Sequence, residues 1–147
     1  MLQNNRTEVL RDRKMTQRIT RAAAYGLAAV AHVAKNGKDG PVMSTEVAET
    51  YDFPLAFLLK IMQQMVMANI LISKRGPHGG FSLARPAKDI SMLEIIEAAD
   101  GPFVQRMEIA EITHKAPFAK RIEQVGNDAI EKARDKFQKA KLSKLIG

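Results

Sequence analysis

Residues 73–86 read SKRGPHGGFSLARP. Three glycines and a proline fall within residues 76–80, and the basic pair Lys74 and Arg75 stands at the edge of this cluster. Such a loop suits a phosphate cradle, a contact in a DNA groove, or a plain hairpin turn. A phosphate cradle of the P-loop kind needs a Gly-Lys-Ser/Thr ending that opens a helix. Here the glycines lead into Phe81-Ser82-Leu83, which reads as a strand, and Ile70-Leu71-Ile72 before them reads as its partner. The loop is therefore a hairpin tip. A need for positive φ explains glycine in such a turn without further function, so the neighbouring elements must decide whether the tip does more.

Upstream, residues 54–68 read as a helix with Pro54 in its first turn and Asn69 as a left-handed cap. Ser44 or Thr45 offers an N-cap for a shorter helix, TEVAETY, with Val47, Ala48 and Tyr51 on its apolar face. Before it, residues 18–35 place Ile19, Ala23, Leu27, Val30 and Val33 or Ala34 on one helical face, with a stop at Asn36-Gly37. Asp39-Gly40-Pro41 is a turn. Two short helices across a tight turn, followed by a hairpin, form a winged helix-turn-helix, and the opening stretch is its wing.

Downstream, Ser91-Met92-Leu93-Glu94 has the spacing of a capping box and starts a helix through Ile95, Ile96 and Ala99, which stops at Asp100-Gly101-Pro102. Residues 103–115 show no clear period. From Ala116 a long amphipathic segment sets Phe118, Ile122, Val125, Ala129 or Ile130, Ala133, Phe137 and Ala140 three to four apart. A stripe of that kind on a helix outside the core usually needs a partner surface. Gly126 interrupts it, at a cost of about 1 kcal/mol relative to alanine.

The chain has 147 residues, no cysteine and a net charge of +7. Without cysteine there are no disulfides, thiol nucleophiles or cysteine-ligated clusters. His32, His78 and His114 are too scattered in sequence to suggest a metal motif, and no metal or cofactor is expected. No Ser/His/Asp grouping stands out either, so an enzyme is not expected. Six basic residues against two acidic ones give residues 1–21 a net +4, and eight against four give residues 116–147 another +4, which leaves −1 for residues 22–115. The nearly neutral middle predicts weaker non-specific nucleic-acid binding than the total suggests. The absence of a long apolar run and of an apolar stretch near the N-terminus predicts a cytoplasmic protein with no membrane span.

Tyr25, Gly40-Pro41-Val42, Val47-Ala48-Glu49 and Phe57-Leu58 form a recurring pattern with Arg75-Gly76-Pro77-x-Gly79-Gly80-Phe81, Leu83-Ala84-Arg85-Pro86, and Ile95-Ile96-Glu97-Ala98 running into Asp100-Gly101-Pro102. Together, over residues 17–102, these resemble the Rrf-two family of bacterial winged-helix regulators, of IscR, NsrR and CymR type. The wing motif is the most specific part. The resemblance implies a homodimeric transcription factor whose long C-terminal helix makes the dimer. It also implies that the third helix enters the major groove and the wing arginine the minor groove. Many members hold an iron–sulfur cluster through three cysteines after the Gly-Pro motif; here that segment is FVQRMEIAEITHKA, so this chain resembles a cysteine-free member, with no signal carried over.

The expected fold is mainly α: a winged helix-turn-helix with a two-stranded wing and a long C-terminal dimerisation helix. Residues 1–16 form a basic extension, 17–88 the DNA-binding domain, and 89–147 the connecting helix, linker and dimerisation helix. On the third helix, Leu58, Ile61, Met62 and Met65 are expected to face the core, with Ala56, Leu59, Lys60, Gln63 and Gln64 facing DNA. Glutamine pairs bidentately with adenine, lysine with guanine, and small apolar groups touch a thymine methyl. In the wing, Lys74, Arg75, Gly76, Pro77, His78 and Gly79 are the expected contacts; glycine permits close backbone approach, and arginine suits a narrow minor groove. His78 stands where the family usually has another glycine. Arg18 and Arg21 fall where family members touch phosphates, although a solvated helix start accounts for them too. The expected dimer seam is Phe118, Ile122, Val125, Ala129, Ala133 and Phe137. His114 reads as an ordinary surface histidine. The expected function is a dimeric regulator of transcription, as a repressor, on double-stranded DNA. The alternative is a protein-interaction module on the same scaffold, using an exposed Leu59 and Met67.

Overall fold

A computed structural model of the protein describes residues 19–104 and 107–147. The expected basic extension and Arg18 lie outside these residues. Thr20 opens the first helix, α1 (Arg21–Asn36), by accepting the Ala23 N–H at 3.2 Å, one of the donors that a helix start leaves free. Because α1 starts at Arg21 and not at residue 18, Ile19 is off the helix and exposed instead of joining its apolar face. Gly26 is buried on that face where α3 crosses, and a Cβ there would stand 2.8 Å from the Met65 methyl.

The second helix, α2 (Ser44–Tyr51), is flanked by Met43 and has no side-chain cap, so neither Ser44 nor Thr45 serves as expected. Val47 and Ala48 are buried against the core, whereas Tyr51 is exposed. Beneath α2 lies His32, buried, with Nε2 2.9 Å from Glu46 Oε1 and Nδ1 3.0 Å from the Tyr51 hydroxyl. Tyr51 neighbours Phe53, which stacks on Tyr25 at 4.2 Å, and Tyr25 meets Phe57 edge-on. This run of rings ties α1 and α2 to the start of the third helix, α3 (Leu55–Met67).

On α3, Leu58, Ile61, Met62 and Met65 are buried, the face that the spacing predicts. Truncating one of them to alanine would cost about 2–5 kcal/mol, the transfer term plus a cavity. Pro54 flanks the helix instead of sitting in its first turn, and Asn69 takes the expected left-handed conformation, φ 58°. The chain then enters β1 (Leu71–Lys74), antiparallel to β2 (Gly80–Leu83), with Leu71 opposite Leu83 and Lys74 opposite Gly80. Lys74 therefore ends a strand, and the loop proper is residues 75–79. Val42 adds a pairing that no local pattern signals: it exchanges two backbone hydrogen bonds of 2.8 Å with Phe81.

Ser91 and Glu94 form the capping box of α4 (Met92–Asp100), which stops at Gly101, φ 85°. A single turn, α5 (Ile109–Ile112), lies in the stretch without a period, and α6 (Ala119–Lys139) follows. Its stripe does not stand apart from the body along its whole length. Ala133 and Phe137 pack on Leu93, Ile96 and Phe103, with Phe137 meeting Phe103 edge-on at 5.5 Å. Lys141 bridges Ser91, and α7 (Leu142–Leu145) returns Leu142 to the main core, beside Ile90 and Ile95.

Candidate nucleic-acid interface

The burial of α3 fixes what it presents. Ala56, Lys60 and Gln63 are exposed. Leu59 and Gln64 are half-buried, and Leu59 packs against the core next to Leu58, which corrects the expectation of an open Leu59. Met67 at the helix end is 87% exposed, so of the expected Leu59/Met67 patch only Met67 stands free. Leu55 and Phe57 in the first turn are partly open to solvent as well. The outward face is thus one cation and one amide among small and apolar groups.

Beyond the last strand pair, Arg75, Gly76, Pro77 and His78 are exposed, as is Lys74 at the end of β1. Among the described residues neither Lys74 nor Arg75 has an ion-pair partner. The glycines have reasons internal to the chain. Gly76 adopts φ 107° with open space around it, a conformation that side chains rarely take. A Cβ on Gly79 would collide with the Lys74 carbonyl, and one on Gly80 would lie 2.6 Å from the Val42 carbonyl oxygen. Gly79 is half-buried. Two of the three glycines are therefore needed for the wing to close on itself and against Val42, whatever else the loop does. Arg21 is the first residue of α1 and exposed. Beside it, the Thr20 N–H donates to Asp100 at 3.2 Å and the Thr20 hydroxyl also bonds that carboxylate, tying the start of α1 to the end of α4.

The base of the wing rests on Arg85, which in the sequence stands out only as part of Leu83-Ala84-Arg85-Pro86. Its guanidinium donates to the Asn69 carbonyl (3.0 Å), the Asp89 carbonyl (3.0 Å) and Glu94 Oε1 (2.6 Å). Glu94 Oε2 accepts the Ser91 N–H at 2.8 Å. Partial burial opposes ionisation of Glu94, but the Ser91 N–H and the Arg85 guanidinium outweigh it and hold the carboxyl below its ordinary value.

The expected seam divides. Phe118, Ile122, Val125 and Ala129 are exposed, whereas Ala133 and Phe137 are half-buried against their own chain. Glu97 and Arg134 hold that contact: Glu97 accepts Arg134 Nη1 at 3.0 Å and the Phe103 N–H at 3.2 Å. Earlier on α6, Asn127 accepts the Met107 N–H and Glu123 the Ala110 N–H, at 3.0 and 2.7 Å. Met107 lies over Gly126, in an open apolar groove with Arg121, Ile122 and Val125. Gly126 is thus the site of a crossing as well as a weak point. His114 is exposed, in a left-handed turn. Among the described residues no helix is long and apolar enough to cross a membrane.

The family model described as "Iron-dependent Transcriptional regulator", Rrf2, matches residues 19–145. The chain belongs to the Rrf2 family. Its relatives are transcriptional regulators and not enzymes. It is 32% identical over 83 residues to the HTH-type transcriptional regulator IscR of Photobacterium profundum, covering 56% of this chain and 48% of that protein. To BadM of Rhodopseudomonas palustris it is 32% identical over 101 residues, 69% of this chain and 64% of that one. The chain thus spans 48% and 64% of the length of these two curated relatives. Among solved structures, CymR, the global cysteine regulator of B. subtilis, superposes with a TM-score of 0.75 at 23% identity, over 88% of this chain and 95% of that one. CymR of Staphylococcus aureus does so with 0.68 at 26% identity, over 86% and 96%. The winged-helix fold with its two-stranded sheet and long C-terminal helix is shared with these structures.

The iron in the family description has no fit in these residues. An iron–sulfur cluster is held by cysteine thiolates, and the 147 residues include none. Among the described residues no three His, Asp or Glu side chains stand together to hold a metal ion. Facing the segment after Gly101-Pro102, Glu123 and Asn127 of α6 are engaged with the backbone N–H groups of Ala110 and Met107 instead.

Proposed function

We infer that this protein is a homodimeric, DNA-binding transcriptional repressor of the cytoplasm, with α3 in the major groove and Arg75 in the minor groove of its operator. The observation that carries this reading is the wing: Lys74 and Arg75 are exposed and have no ion-pair partner among the described residues, and on α3 Lys60 and Gln63 are exposed as well. Unpaired cations release counterions when they meet phosphates, and that supplies most of the affinity. Arg75 and the outward groups of α3 add register and base choice. Residues 17–88 would bind DNA, and 89–147 would join the two copies through Phe118, Ile122, Val125 and Ala129. A dimer seated across a promoter would block polymerase. The rival reading, a protein-docking module, loses support because Leu59 packs on the core.

Selection of bound genomic fragments followed by anisotropy titration at two salt concentrations tests the reading. Affinity should fall with salt, and Arg75→Ala should weaken binding by about tenfold, the value of one good base-edge contact. Absence of binding at low salt would overturn it.

A further inference from the structure

Nothing assigned so far explains why one guanidinium joins three elements at the base of the wing. Arg85 lies two residues beyond the end of β2, directly before Pro86. Its Nε bonds the carbonyl of Asn69, at the point where the chain leaves α3 for β1. Left-handed Asn69 has just ended the helix, and the next carbonyl, that of Ile70, takes the Ala84 N–H at 2.9 Å. The two strands of the wing are therefore cross-tied where they enter and leave it. The other two donors of Arg85 reach the Asp89 carbonyl and Glu94, so the same side chain also fixes the start of α4. Away from the base, the wing is held at Val42, which pairs with Phe81 halfway along β2.

We propose that Arg85 is a positioning residue for DNA binding: it sets the angle between α3 and the wing, and so decides whether Arg75 reaches the groove while α3 is seated. The inference rests on the DNA-binding reading above. A fork is needed because the three acceptors lie on different elements. A lysine at this position would offer a single ammonium that cannot serve all three, so the two basic residues are not interchangeable here. Arg85 itself is two-thirds or more buried as a side chain, 29% exposed, and acts through the wing without touching DNA. With strands of four residues each, the direction of the tip depends on this tie at the base together with the Val42–Phe81 pairing.

The test is a double-mutant cycle of DNA affinity at one salt concentration, using the full chain, a fragment that the wild type binds, and a temperature below each protein's melting transition. The four proteins are wild type, Arg75→Ala, Arg85→Lys and the double variant. In the wild-type background Arg75→Ala should cost about tenfold. In the Arg85→Lys background it should cost less than about twofold, because a misdirected wing has no contact left to lose. A general loss of stability would not produce this non-additivity. Should Arg85→Lys not fold, Glu94→Gln replaces it in the cycle: it leaves Arg85 in place, removes the charge of its shortest partner, and should shrink the Arg75→Ala effect in the same direction. An equal cost of Arg75→Ala in both backgrounds overturns the proposal and leaves the DNA-binding reading standing. No effect of Arg75→Ala in the wild type, or no binding at all, overturns both.

Discussion

Val42 and Phe81 exchange both of their backbone hydrogen bonds, each 2.8 Å long, although nearly forty residues separate them in the chain. The pairing lays the Gly40-Pro41-Val42 turn against the wing and leaves no room for a side chain on Gly80. Gly80 also has φ 143°, which a side chain would strain. Gly80→Ala is therefore expected to destabilise the fold by about 1–3 kcal/mol, as read by urea denaturation. An unchanged midpoint would mean that the wing does not close on Val42.

Met107 and Gly126 make a second such pair, with the opposite balance. Alanine in a helix interior is favoured over glycine by about 1 kcal/mol. In the wild type that gain should be cancelled, because a Cβ at 126 would displace the Met107 sulfur. In a Met107→Ala background the obstruction is gone, and Gly126→Ala should stabilise by about 1 kcal/mol. Equal effects of Gly126→Ala in the two backgrounds, measured by thermal melting, would show that the crossing is not made.

Glu94 gives a pH dependence with a definite sign. Its carboxyl titrates below the ordinary 4.5 in the folded chain. Between the two values the unfolded state binds more protons, so stability rises with pH there. The contribution is fully present above 4.5 and is lost as pH falls through the folded-state value. Melting temperatures of wild type and Glu94→Gln should thus differ most near neutral pH and converge in acid. A gap that widens on acidification would contradict the Ser91 and Arg85 contacts.

The two ends of α6 should respond differently to mutation. Phe137→Ala removes a half-buried ring from the cluster with Phe103 and Leu93, and should cost about 2 kcal/mol, below the range for a fully buried phenylalanine. Ile122→Glu alters an exposed position. It should leave helix content unchanged while shifting sedimentation toward the monomer at micromolar concentration. Full assembly of Ile122→Glu would move the seam elsewhere.

Much of this fold is written in local pattern. Leu58, Ile61, Met62 and Met65 recur at helical spacing and are the residues that α3 buries; Ser91 and Glu94 have capping-box spacing and form the box. Asn69 ends α3 as a left-handed residue should. The wing was legible because its glycines, strands and preceding helices all lie within a short stretch of chain. Helix starts are less legible: α1 begins at Arg21 and not at residue 18, and Met43, not Ser44 or Thr45, flanks α2, since a helix start depends on where the preceding chain runs.

The amino-acid pattern by itself determined the helix-turn-helix, the hairpin and the cysteine-free character of the chain, because each depends on residue type or on contacts a few positions apart. Only the tertiary structure decided that Leu59 leans on the core, that Ala133 and Phe137 serve their own chain, and that Gly80, Gly126 and Arg85 answer to Val42, Met107 and Asn69. Those relations join segments distant in sequence, and no periodicity encodes them: an apolar residue carries the same signal whichever surface it is to meet, and a glycine does not name the neighbour that needs its missing side chain.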